Sequence, residues 1–118
     1  MLAPVLCTRI DEQLGAVILT VSGPLTTCEH VDAVNQSLRD VPAGHCLIIE
    51  LDAMITLTAK SLGCFRDMAR DAIEQGTRVI LVSESIDVRA NLVLADLDSL
   101  APVLDSLAQA NHVLAAAA

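Results

Sequence analysis

The runs Cys46-Leu47-Ile48-Ile49-Glu50-Leu51 and Thr77-Arg78-Val79-Ile80-Leu81-Val82 constrain the fold of this chain more than any other feature. Each is an almost continuous apolar stretch, the pattern of a strand covered on both faces. Between them Leu62, Phe65, Met68, Ala69, Ala72 and Ile73 recur at helical spacing, with Arg66, Asp67, Arg70, Asp71 and Glu74 on the wet side. Gly76 supplies a C-terminal stop for that helix. A strand–helix–strand unit of this kind crosses over right-handedly and pairs its strands in parallel. The fold class is α/β.

The flanking segments extend the same sheet. Pro4 to Ile10 is β-rich, and Ala16 to Val21 is a strand closed by Ser22-Gly23-Pro24, so the two read as an antiparallel pair at one edge. Thr26 or Thr27 can cap a helix carrying Val31, Val34 and Leu38, broken by Pro42-Ala43-Gly44. Ser83 or Ser85 can cap a third helix through Val88 and Leu92, with Asp87 in its first turn. Leu97 to Val103 reads as irregular. Leu104, Leu107, Ala110, Val113 and Leu114 predict a final amphipathic helix that frays in four alanines. The order β-β-α-β-α-β-α-α predicts a mixed sheet of about four strands, with helices mainly on one side.

The chain of 118 residues is expected to be a single domain, 1–118, since domains run to roughly 100–200 residues. A domain of this size buries about two thirds of its unfolded surface and has no need of metal or disulfide staples. A net charge of -8 and an aromatic share of 1% argue against nucleic acid as a partner, because both counterion release and stacking platforms are missing. Mean hydropathy is high at +0.57, yet the longest uncharged run, Gln13 to Cys28, is interrupted by Gly15 and Ser22-Gly23-Pro24. No direct membrane insertion is expected. Met1-Leu2-Ala3-Pro4 lacks the basic flank and apolar region of a signal peptide, which predicts a cytoplasmic protein.

Cys7, Cys28, Cys46 and Cys64 lie 18 to 21 residues apart. No pair has the spacing of a zinc knuckle or a redox dithiol, so four free thiols are expected, used as small hydrophobes. His45 and Cys46 would point to opposite faces of a strand, and Cys28 and His30 diverge on a helix, so no metal site is expected. Nor is there a glycine-rich phosphate cradle, a nucleophile elbow or a reactive acid pair in the loops. The expectation is a protein that is not an enzyme and carries no cofactor.

In an open α/β sheet, binding takes place where loops leave the carboxyl ends of parallel strands. Those loops run from Ser22 to Thr27, from Thr56 to Leu62 and from Ser83 to Ile86. Here the chain resembles the STAS domain family, the fold of bacterial anti-sigma-factor antagonists and of sulfate-transporter tails. The resemblance rests on Leu47-Ile48-Ile49-Glu50-Leu51, on Thr58-Ala59-Lys60-Ser61-Leu62-Gly63 at the family's Asp-Ser-Ser/Thr-Gly-Leu-Gly signature, and on Gln75-Gly76-Thr77 leading into Val79-Ile80-Leu81-Val82. Gly23-Pro24-Leu25-Thr26 falls on the Gly-Glu-Leu-Asp element, and Ser85-Ile86-Asp87-Val88-Arg89 on the Ser-Pro-Glu-Val-Arg helix start.

The resemblance implies an anti-sigma-factor antagonist. Its partner would be an anti-sigma factor, a GHKL-type kinase that phosphorylates the serine after the signature Asp and thereby breaks the complex. That serine position is Ala59, which has no hydroxyl, and the two signature acids fall on Thr58 and Thr26. The implied partner-binding residues are Thr26, Thr58, Ala59, Lys60, Ser61 and Gly63, with Thr58 and Ser61 as possible substitute acceptors. Four of these also have a purely structural reading: Thr58 as a helix cap, Ser61 as its first-turn partner, Thr26 as the cap of the first helix, Lys60 as a solvated lysine. Alternative functions are a cytoplasmic STAS subunit of a membrane transporter, or a small-ligand or nucleotide sensor on the same loops. A monomer or weak dimer is expected.

Overall fold

The computed structural model describes residues 3–39, 41 and 44–117. The chain runs β1 (Val5–Asp11), β2 (Ala16–Ser22), β3 (Pro24–Leu25), α1 (Cys28–Ser37), β4 (Cys46–Leu51), β5 (Thr56–Leu57), α2 (Ala59–Glu74), β6 (Val79–Val82), α3 (Ile86–Leu94), a 3-10 turn at Leu97–Ser99, β7 (Val103–Leu104) and α4 (Leu107–Ala117). The main sheet has five strands in the order β1-β2-β4-β6-β7. β1 pairs antiparallel with β2, and the remaining pairs are parallel. The two apolar strands are parallel neighbours, Leu47 beside Val79 and Ile49 beside Leu81, with α2 as their crossover.

Side-chain alternation along these strands divides the apolar residues into two cores. Val17, Leu19, Val21, Leu47, Ile49, Leu51, Val79 and Leu81 meet the buried stripes of α1, α2 and α3, with Phe65 at 1% exposure. Ala16, Ile18, Cys46, Ile48, Ile80 and Val82 face the other way, onto Ala110 of α4 with Leu107, Val113 and Leu114. Three helices therefore lie on one face and one on the other. On the α4 face the aligned pair Thr20 and Glu50 is joined by a hydrogen bond from Thr20 Oγ1 to Glu50 Oε1 at 3.0 Å.

Two features depart from the sequence reading. The sheet has a fifth strand, because Val103 and Leu104 align with Leu81 and Val82 as β7. Leu104 thus belongs to a strand and not to the last helix. Its three-residue offset from Leu107 mimicked helical spacing, but Ser83 N donating to Leu104 O at 3.0 Å fixes it as extended backbone. α1 ends at Ser37 with Leu38 as its C-cap, and Pro42 and Ala43 of the expected break lie outside the described residues. α2 ends as expected: Gly76 adopts φ +92, Gly76 N donates to Ile73 O and Thr77 N to Ala72 O. That pair of bonds is a Schellman stop, for which glycine is the favoured residue.

Candidate docking surface at the carboxyl ends of the parallel strands

The loops after β2 and β4 join at this end of the sheet. β3 and β5 pair in parallel, Pro24 beside Thr56 and Leu25 beside Leu57, and Thr56 N donates to Gly23 O at 3.3 Å. Leu25 and Ile55 anchor the pair in the main core. Gly23 makes the turn out of β2 at φ +83, where an added Cβ would meet Ala3 O at 3.6 Å. A side chain there would be strained by the backbone conformation itself.

The helix starts are built onto this pair. Thr58 is the N-cap of α2, and Ser61 closes a capping box with it: Ser61 N donates to Thr58 Oγ1 at 3.1 Å, and Thr58 N donates to Ser61 Oγ at 3.0 Å. Thr58 Oγ1 in turn donates to Thr26 O at 2.7 Å, bridging 32 residues of chain. For α1 the cap is Thr27, whose Oγ1 accepts from His30 N at 3.1 Å. Thr26 N instead donates to His30 Nδ1 at 3.0 Å. His30 thus holds the Thr26 backbone through its ring nitrogen.

The structure brings Thr26, Thr58 and Ser61 into one hydrogen-bonded unit, with Ala59 and Lys60 exposed in the first turn of α2. Ala59, Lys60 and Ser61 are helix and not loop. Ser61 has no exposed surface, and its hydroxyl is spent in the capping box. Thr58 is exposed, with its hydroxyl accepting one bond and donating another. Gly63 is exposed with open space where a side chain would be. The first turn of α2 holds no acid, and among the described residues Lys60 makes no ion pair. The third loop is separate: Ser85 caps α3 by accepting from Val88 N at 3.3 Å, and Arg89 donates to Ser83 O at 2.7 Å.

Sequence reasoning missed three things here. Met54, after β4, and Ile86, at the start of α3, are 85% and 72% exposed, leaving two large apolar side chains on the same rim. His30 holds the Thr26 backbone. Most important, Cys28 and Cys64 form a disulfide between α1 and α2, with Cα atoms 5.6 Å apart. The expectation of four free thiols is therefore overturned. A separation of 36 residues carries no sequence signal; the pair exists because α1 packs on α2, which becomes apparent only in the fold. Cys7 is free and exposed, and Cys46 free and buried. Burial pushes the Cys46 thiol above the ordinary range, with the Arg78 guanidinium pulling it partly back.

Among the described residues no cluster of three or more His, Cys, Asp or Glu could hold a metal ion. No described helix is long and apolar enough to cross a membrane.

The geometry has counterparts among solved structures. The crystal structure of TM1081 from Thermotoga maritima, described as a candidate anti-sigma factor antagonist, matches with a TM-score of 0.71. The match has 21% identity and covers 92% of this chain and 93% of that one. The NMR structure of TM1081 gives a TM-score of 0.68 at 22% identity, covering 91% and 86% respectively. At such identities the likeness shows a shared fold. No curated protein matches the sequence. The sequence pattern of the STAS domain matches residues 8–110, and by that match the chain belongs to the STAS domain family.

Proposed function

We propose that this protein is a binding module of the anti-sigma-factor-antagonist type that holds an anti-sigma factor without being released by phosphorylation at position 59. The observation that carries this reading is the clasp from Thr58 Oγ1 to Thr26 O at 2.7 Å. It makes one surface out of two distant loops and leaves Ala59 and Lys60 exposed at its centre. Thr26, Thr58 and the bare Gly63 supply backbone and small side chains that a partner can approach closely. Ser61 supports this surface from beneath. Met54 and Ile86 add apolar area on the rim.

With no hydroxyl at Ala59, a partner kinase has no acceptor at the usual position. Thr58 is the one exposed hydroxyl of the capping box, and its modification would require breaking the clasp. A phosphate there would add ~1.5–2 negative charges at the contact. Complex formation is then set by how much of the protein is made, with a GHKL-type anti-sigma kinase as partner. The missing acceptor also suits a transporter-associated STAS subunit, whose partner would be an ATPase subunit.

The test is to incubate the full chain with purified anti-sigma kinases of its host, with and without ATP. The reading requires a stable complex whose dissociation constant is the same under both conditions, and unphosphorylated peptides spanning 56–64 by mass spectrometry. ATP-dependent release with phosphate on Thr58 or Ser61 would show that a switch survives at a new acceptor. Binding to a transporter ATPase subunit alone would replace the sigma-factor reading.

A further inference from the structure

We propose that the Cys28–Cys64 pair is a redox-addressable crosslink that sets the order of the docking surface. Cys28 is the first residue of α1, directly after its cap Thr27 and two residues beyond Thr26. Cys64 lies in α2 next to Gly63 and three residues beyond Ser61. The disulfide therefore ties together the two helix starts that carry Thr26, Thr58, Ala59 and Lys60, and none of the rest of the fold. Both cysteines are half-buried, so a small thiol can reach them, whereas Cys46 is buried at 7% exposure. Cys64 packs against the edge of the main core, on the side of the two helix starts. The bond thus joins the edge of the main core to the two helix starts that make the surface.

The reaction is thiol–disulfide exchange with a low-molecular-weight thiol. Its thiolate attacks Cys64 Sγ, the S–S bond breaks, and the electron pair leaves on Cys28 Sγ. A second thiolate attacks the mixed disulfide at the small-molecule sulfur and releases Cys64. Two small thiols become one small disulfide, and two electrons and two protons pass to the protein. The reverse reaction uses the small disulfide as oxidant. After reduction, the β3–β5 pairing and the Thr58–Thr26 and Thr26–His30 hydrogen bonds remain to hold the helix starts together.

The inference rests on the docking reading only for its consequence; the redox site itself can be tested without a partner. The full chain is equilibrated in mixtures of reduced and oxidised glutathione, quenched, alkylated and mapped by mass spectrometry, and its amide exchange is compared in the two forms. Cys28 and Cys64 should convert together in one two-electron transition. Reduction should raise exchange about tenfold at residues 26–31 and 58–64 through local opening that does not depend on denaturant, while β4 and β6 accelerate only through global unfolding. A pair that resists glutathione until the chain unfolds, or exchange equal in both forms, overturns the proposal. The Cys28→Ser, Cys64→Ser double variant should reproduce the reduced exchange pattern.

Partner binding then separates the two readings. Reduction should weaken the anti-sigma complex several-fold, and Ala59→Glu should weaken it in both redox forms. If Ala59→Glu weakens binding but reduction does not, the redox coupling fails and the docking reading stands. If neither matters, the docking reading fails, and the exchange comparison alone decides whether the crosslink orders this end of the sheet.

Discussion

The starts of α2 and α3 follow adjacent parallel strands and are capped by the same chemistry, yet they sit in different company. At α3, Ser85 accepts from Val88 N, and Arg89 reaches back to Ser83 O, so both side-chain bonds of the cap are local. At α2, the cap hydroxyl also reaches Thr26 O, β5 pairs with β3, and Cys64 is bonded to Cys28. Equivalent positions in a sheet thus become a self-contained turn in one case and half of a composite surface in the other. The α2 start joins the loops of both strands, while the α3 start is a single turn with the exposed Ile86.

The contrast can be broken most forcefully at the disulfide. A crosslink closing a loop of 36 residues contributes about 3 to 4 kcal/mol through loop-closure entropy. Replacing both cysteines by serine should lower stability in urea by that order, and reduction of the wild type should match it. A loss below about 1 kcal/mol would mean that the bond is not formed in the native chain.

Next come the caps themselves. Ser61→Ala removes the buried hydroxyl that accepts from Thr58 N and should cost about 2 kcal/mol. Ser85→Ala, in a half-exposed local cap, should cost about 1 kcal/mol. Exchange at residues 24–27 should rise in the first variant and stay unchanged in the second. Equal spreading from both would mean that the α2 cap is as local as the α3 cap.

Gly63 sharpens the comparison with the opposite sign. It sits inside α2, exposed, with nothing within 4 Å of an added Cβ. Gly63→Ala should therefore stabilise the chain by about 0.5–1 kcal/mol. Higher stability with weaker partner binding would mark the glycine as kept for close approach. Improved stability with unchanged binding would place Gly63 outside the contact.

The smallest effect lies far from the surface. Burial raises the Cys46 thiol above its unfolded value, against the pull of Arg78. The folded state therefore holds that proton more tightly than the unfolded state. The resulting stability is complete below the unfolded thiol value of about 8.5 and is lost as pH rises through the folded value. Between those two values, wild-type stability should fall more steeply with pH than that of Cys46→Ala. Parallel curves would mean that Cys46 does not titrate differently on folding.

Much of this was legible in the residues themselves. The runs Cys46–Leu51 and Val79–Val82 announced their parallel pairing through unbroken apolar character, and Thr58 with Ser61 carried the residue types of a cap and its N3 partner. The illegible parts depend on distance. β7 is two residues long, too short for any periodicity, and the Cys28–Cys64 bond follows from helix packing and not from spacing. Nor does any local rule say that Met54 and Ile86 remain uncovered, because an apolar residue in a turn reads the same whether buried or bare.

The central claim is that the composite surface around Ala59 is where a partner docks, and titration calorimetry of Ala59→Glu against the wild type with the anti-sigma kinase tests it most directly. A carboxylate placed where the partner must pack should weaken binding by roughly 2 kcal/mol or more, about thirtyfold. The Ala59→Glu, Lys60→Ala double variant should be weaker still, since Lys60 no longer offsets the added charge. Equal affinity of wild type and Ala59→Glu would contradict the account and move the interface away from the clasped loops.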